Sequence, residues 1–228
     1  AAMPDVDGDS SDDLAVGAEQ DEFGDAGAVW LLFLFPNCSV RAWTKISALS
    51  GGFSGILDAS DQFGISLASL GDLDRNGSPD LVVGAYQDDD GGLNRGAVWM
   101  LLLNSSGMVE SHVKISNTSG GFGGALNNGV QFGSGVASIG DLDGDNLPEV
   151  IASNSGNNSI SIFRNTSAVG TISFASRVNV AAGTGPVHSV VGDLDQDGLP
   201  DLVVGNATAV RVTFSDGTPL TASDAVGS

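Results

Sequence analysis

An all-β fold made of β-propeller-type blades, about four repeats of four short antiparallel strands each, is what this 228-residue sequence predicts. Three observations carry that expectation. A nine-residue acidic loop occurs four times, each copy followed by a short apolar run such as Leu81-Val82-Val83-Gly84. Whole words recur at a fixed interval: Ala28-Val29-Trp30 and Ala97-Val98-Trp99 lie 69 residues apart, as do Lys45-Ile46-Ser47 and Lys114-Ile115-Ser116. No segment sustains a helical period.

The repeats divide one propeller region, residues 1–228, into units at about 1–50, 63–120, 132–182 and 187–228. In the first unit strands are expected near Leu14–Val16, Ala28–Leu34 and Val40–Ile46, with the opening strand missing. The second unit reads as Ile65–Gly71, Leu81–Ala85, Ala97–Leu103 and Met108–Ile115. The third reads as Ser134–Gly140, Val150–Ser153, Ser159–Arg164 and Ile172–Val180. The last offers Val187–Gly192, Leu202–Gly205 and Val210–Phe214, then a Thr/Ser/Gly/Asp tail, so both end blades are expected to be incomplete. A four-stranded unit cannot bury both faces alone, so neighbours must stack to make the core. Strand alternation then puts the four acidic loops on one face. The loops Glu19–Gly27 and Tyr86–Arg95 and the connections Ser47–Gln62 and Ser116–Gln131 fall on the other.

Each acidic loop places oxygen-bearing side chains at positions 1, 3, 5 and 9. They are Asp5, Asp7, Asp9 and Asp13; Asp72, Asp74, Asn76 and Asp80; Asp141, Asp143, Asp145 and Glu149; and Asp193, Asp195, Asp197 and Asp201. Alternating hard oxygens around a turn residue suit calcium, which takes six to eight oxygen ligands. An EF-hand is excluded, because its position 12 must be a bidentate acid. Here position 12 is Val16, Val83, Ala152 or Val204. The acid at position 9 must close each site, with the position-7 carbonyl of Ser11, Ser78, Leu147 or Leu199 as a further ligand. An Asx-rich turn without metal is the competing reading for any one loop. Four matched copies, and up to four Ca²⁺, are the expectation. Asn76 is neutral and adjoins Arg75, so the second site is expected to bind more weakly than the fourth.

A net charge of −20 with eight Lys and Arg argues against nucleic-acid backbones and anionic membranes as partners. No apolar run approaches the length of a membrane helix. Cys38 is the single cysteine, so no intrachain disulfide forms. The chain begins inside a motif, as a piece of a longer protein would. Seven Asn-x-Ser/Thr sequons occur; Asn76 is read as a calcium ligand, and the other six, at Asn37, Asn104, Asn117, Asn157, Asn165 and Asn206, offer glycosylation acceptors if the source is eukaryotic. The run Asp88-Asp89-Asp90 is a solvated loop or a second cation site. His112 and His188 are isolated, and no nucleophile elbow, zinc spacing or phosphate loop appears, so an enzyme is not expected.

Phe63-Gly64 with Gly84-Ala85, and Phe132-Gly133, bracket Asp-x-Asp-x-Asp/Asn loops. In this the sequence resembles the FG-GAP repeats of integrin α-subunit-type propellers, and its second half resembles the related VCBS-type bacterial repeats. The resemblance implies calcium held between strands one and two of each blade, away from the usual ligand-binding surface. Three functions are compatible with it. The first is a calcium-stabilised extracellular or cell-surface segment for adhesion, whose protein or glycan ligand binds the opposite face. The second is a structural subunit whose copies complete one another's end blades into a homo-oligomeric filament. The third is an accessory domain of a secreted polysaccharide-active enzyme.

Overall fold

Residues 1–141, 145–168, 171–196 and 201–213 are described in a computed structural model, and they build four sheets in chain order. Blade 1 holds β1 (Ala2–Met3), β2 (Asp13–Ala18), β3 (Ala28–Leu34) and β4 (Val40–Ile46). Blade 2 holds β5 (Ser66–Gly71), β6 (Asp80–Ala85), β7 (Ala97–Leu103) and β8 (Val109–Ile115). Blade 3 holds β9 (Phe132–Ser138), β10 (Val150–Asn154), β11 (Ser159–Phe163) and β12 (Val178–Ala181). Blade 4 holds β13 (Pro186–Gly192), β14 (Asp201–Asn206) and β15 (Val210–Thr213) among the described residues. Every pairing is an antiparallel meander, as the β-propeller expectation requires.

Two expectations need correction. Blade 1 does have an opening strand: Ala2 pairs Leu14 and Met3 pairs Asp13, and Ala1 and Ala15 exchange hydrogen bonds of 2.7 and 2.9 Å. Two residues carry too little pattern to be read as a strand, yet backbone pairing needs no pattern. In blade 3 the outer strand is Val178–Ala181, shorter and later than Ile172–Val180. Part of the expected stretch turns back instead, with bridges Asn165 to Phe174 and Ala168 to Thr171.

The core lies between blades. Alternation along each strand gives a blade one face toward its predecessor (the near face) and one toward its successor (the far face). Ala15, Val29, Leu31 and Phe33 on the far face of blade 1 pack against Leu81, Val83, Trp99, Leu101 and Leu103 on the near face of blade 2. Val82, Val98, Met100 and Leu102 then pack against Val136, Val150, Ala152 and Phe163 of blade 3. Ile151, Ile160 and Ile162 pack against Leu202 and Val204 of blade 4. Being covered on both sides, β6 and β7 are buried along their whole length.

The inner strands of successive blades lie side by side, β5 by β9 and β9 by β13, and the second strands β2 and β6 meet the start of the next blade's inner strand more closely than side chains allow. A Cβ on Gly17 would stand 1.8 Å from the Gly64 carbonyl oxygen, and one on Gly84 2.0 Å from that of Gly133. These contacts explain why glycine sits in both halves of the recurring motif. Blade 3 lacks Gly84's counterpart, carrying Ser153 there, but the facing position that is Ser66 in blade 2 is Gly135 in blade 3. A Cβ on Gly135 would approach Val187 O to 2.2 Å and Ser153 Oγ to 3.1 Å, so the small residue has changed strands.

Candidate metal centres on the acidic-loop face

Among the described residues, three of the four acidic loops bring their side chains together. Carboxylate oxygens of Asp5, Asp7 and Asp13, of Asp72, Asp74 and Asp80, and of Asp193, Asp195 and Asp201 each lie within 4.8 Å of one another. Asp143, Asp197 and Leu199 fall outside the described residues, so the third loop is seen through Asp141, Asp145, Leu147 and Glu149.

One hydrogen-bond frame shapes the first three copies as far as their residues are described. The position-1 carboxylate accepts N–H groups from positions 5 and 6: Asp5 from Asp9 and Ser10, Asp72 from Asn76 and Gly77, Asp141 from Asp145 and Asn146. Position 5 accepts from position 7, at 2.8 to 2.9 Å, as Asp9 from Ser11, Asn76 from Ser78 and Asp145 from Leu147. The position-9 acid is buried and reaches back to position 2, accepting from Val6, Leu73 and Leu194 at 2.7 to 2.9 Å. Its other oxygen accepts from the end of strand three, at Leu34 for Asp13 and Leu103 for Asp80. Glu149 makes the matching bond to Asn165.

Position 6 is left-handed, with φ 72° at Ser10, 94° at Gly77 and 66° at Asn146. Sequence reading missed a second one at position 4: Gly8, Arg75 and Gln196 have φ of 79°, 63° and 66°. Only Gly8 signals it by residue type, since an Arg or Gln in that region is strained. Ser78 Oγ donates to Val6 O at 3.3 Å, joining the second loop to the first.

The residues fit a hard divalent cation. Asp7 Oδ1 is buried without a hydrogen-bond partner. Burial pushes the Asp80 carboxyl up to about 7, with Asp74 and Asp72 adding to the rise against the Leu103 and Leu73 N–H groups. Burial likewise raises Asp13 and Asp74. At Asp5 burial acts in the same sense, but four backbone N–H groups outweigh it and the carboxyl is lowered. Acids whose charged form is disfavoured by burial and by one another are a set that a nearby positive charge would favour in the ionised form.

Arg41 on β4 pairs with Asp7 and with Asp9 (3.1 Å), a contact with no short-range signal in the sequence. In blade 2 the equivalent residue is Glu110, whose charge raises Asp74. The two loops therefore face opposite charges.

The opposite face holds a different cluster. Lys114 pairs with Asp88 (2.7 Å) and Asp90 (2.8 Å) and lies over the Trp99 ring, while Lys45 pairs with Asp21 and Glu22 and lies over Trp30. Asp88 is buried and Asp89 exposed, so the acidic run is in part solvated and, through Asp88 and Asp90, in part an ion-pair anchor. The repeated Lys-Ile-Ser words were its trace in the sequence. His112 meets Phe53 and Trp99 at tilted ring angles of 53° and 50°, and His188 is exposed and lines a cavity of about 400 Å³. Of the sequons, Asn37 and Asn157 are exposed and Asn104, Asn117 and Asn206 half-buried. Asn165 is fully buried and donates to Pro148 O, which closes it to modification.

Comparison with known proteins follows the repeats. The FG-GAP repeat profile matches residues 1–32 and 63–101, and the FG-GAP-like repeat profile matches 141–204, together more than half of the chain. Integrin alpha-7 of Rattus norvegicus is 34% identical over 155 residues, 66% of this chain and 12% of that protein. Integrin alpha-IIb of Homo sapiens is 29% identical over 170 residues, 72% of this chain and 15% of that protein. The chain thus spans no more than 15% of these relatives' length. The solved structure of the rhamnogalacturonan lyase YesW superposes with a TM-score of 0.50 at 18% identity, covering 95% of this chain and 42% of that one. That likeness is one of fold.

Proposed function

Starting from the fact that the chain belongs to the FG-GAP repeat family, we propose that it is a non-enzymatic, calcium-stabilised propeller region acting outside the cell in adhesion or surface recognition. The observation that carries the reading is the convergence of three carboxylates in each of three loops built on one backbone frame. The ligands would be the side chains at positions 1, 3, 5 and 9, with the position-7 carbonyl. A bound calcium ion would offset the mutual repulsion of these acids. The chain's own part is to hold the loop closed through Asp13, Asp80, Glu149 and Asp201, whose buried carboxylates or loop contacts tie each turn to its sheet.

Recognition falls to the opposite face. Phe23, Leu49, Ile56 and Leu93 are 97%, 81%, 76% and 63% exposed on its loops, beside acids such as Glu19 and Asp25. Apolar side chains rimmed by acids support a protein ligand with basic and apolar groups. Among the described residues no helix is long and apolar enough to cross a membrane. Calorimetry with calcium and with a chelator tests the metal half of the proposal: calcium is expected to raise Tm, and identical curves would end it. Phe23→Ser and Leu49→Ser test the other half, and are expected to weaken capture of a surface ligand without moving Tm.

A further inference from the structure

We infer that Arg177 and the glycine-rich connector 116–131 form an anion subsite on the recognition face, shaped for an acidic side chain of the protein ligand. The inference rests on reading that face as a protein-binding surface, although its chemistry is testable apart from any protein. The distribution of charge marks the place. The chain holds 28 acids against eight Lys and Arg, and the connector 47–62 carries Asp58 and Asp61. The matching connector 116–131 carries no charged residue. Arg95 and Arg177 flank it. Arg95 Nε donates to Asn128 Oδ1 at 3.0 Å, and the Arg177 guanidinium lies over the Phe122 ring, 4.0 Å from its centroid. Among the described residues neither has a carboxylate partner, whereas Arg41, Lys45 and Lys114 each hold two.

Covering the connector's phenyl does not require a cation. The strand registers place Arg177 where His112 stands in blade 2. His112 meets Phe53 at 5.1 Å, and burial lowers its pKa, which favours the neutral ring. An arginine stays charged. Arg177 Nε is buried without a hydrogen-bond partner, and burial lowers the pKa of the guanidinium. Nη1 donates to Asn179 Oδ1 and, at 3.4 Å, to Ser161 Oγ. Nη2 finds no acceptor among the described residues and faces the connector, where a Cβ on Gly124 would stand 3.2 Å from it. A half-buried cation without a counter-ion carries a desolvation cost that an incoming anion offsets.

The connector supplies the remaining donors. Residues 116–124 line a cavity of about 200 Å³. The N–H groups of Gly120, Gly121, Phe122, Gly123 and Gly124 find no acceptor among the described residues. Backbone donors and a guanidinium around a small hollow suit a carboxylate. An acidic side chain of a protein fits better than a polyanionic glycan. Exposed Asp25, Asp58 and Asp89 stand on the same face, and a polymer charged at every unit would meet them as well.

The test titrates the intact chain with acetate and follows backbone amide and arginine Nε–H signals by NMR, with sodium chloride at equal ionic strength as the control. Saturable shifts at Gly123, Gly124 and Arg177, with a midpoint of about 10 mM, are expected from acetate and not from chloride. Arg177→Gln should abolish them. That change also uncovers Phe122, so Gly124→Asp is the second variant. It keeps the cation, fills the hollow with a tethered carboxylate, and should abolish the acetate response at unchanged Tm. Equal shifts from acetate and chloride, or shifts that survive both variants, would overturn the inference. Tighter binding of a sulfated oligosaccharide than of a glutamate-bearing peptide would overturn the choice of a protein acid and assign the site to a glycan. In capture of a surface ligand, Arg177→Gln is expected to weaken binding about two- to fivefold. If Phe23→Ser and Leu49→Ser weaken capture and Arg177→Gln does not, the subsite falls and the reading of the face stands. If none of the three weakens capture, the reading of the face is what fails, and the acetate titration alone judges the site's chemistry.

Discussion

Asp80 shows how much one side chain does in this fold. Its two oxygens hold the N–H groups of Leu73 and Leu103, so a loop, a hairpin and the end of β7 meet on one buried carboxylate. Asp80→Ala leaves both donors without partners and is expected to destabilise the chain by about 2–4 kcal/mol in urea unfolding. The charge facing each loop tunes it. Arg41→Ala removes the cation that pairs with Asp7 and Asp9, and calorimetric titration is expected to show tighter calcium binding at the first loop. Glu110→Arg is expected to weaken the second. Asp61 lies outside the loops. Burial pushes it up to about 7, aided by Asp88 and opposed by Lys114 and the Asp58 N–H. The native chain therefore holds a proton that the unfolded chain has lost between about pH 4 and 7, and stability falls as pH rises through that window. Asp61→Asn, measured in excess calcium, should flatten that slope. Spacing alone revealed the acids at positions 1, 3, 5 and 9. The strained position 4 and the Arg41 contact were not legible, because one is a backbone state and the other joins residues 34 apart.

At the scale of the element, strand and loop order followed from period-two runs and turn residues, with β3, β4 and β7 falling where they were expected. The misses have local causes. β1 is two residues long, and the Ile172–Val180 run is apolar enough to read as a strand although part of it pairs back on residues 165–168. Glycines where one blade's second strand meets the start of the next blade's inner strand set how closely blades approach. Gly84→Ala drives a methyl onto the Gly133 oxygen and Ser66 Oγ, and is expected to cost about 2–4 kcal/mol. Gly192→Ala meets nothing within 4 Å and serves as the control in the same unfolding experiment.

Across the whole molecule, stacking of short sheets makes nearly all of the core, so stability depends on each blade keeping its hairpins closed. That dependence was visible in the sequence as repetition. The ion pairs of Lys45 and Lys114, which anchor the opposite face, appeared there only as repeated words. The measurement that bears most directly on the account is the melting temperature of the intact chain with and without saturating calcium. Ligand at about 100 times Kd adds roughly 2.7 kcal/mol per site, or about 5–10 °C per site for a chain of this size. A calcium-dependent rise of at least that size, reversed by chelator and reduced by Asp72→Ala, is the predicted result. Superimposable melting curves in calcium and chelator would contradict it.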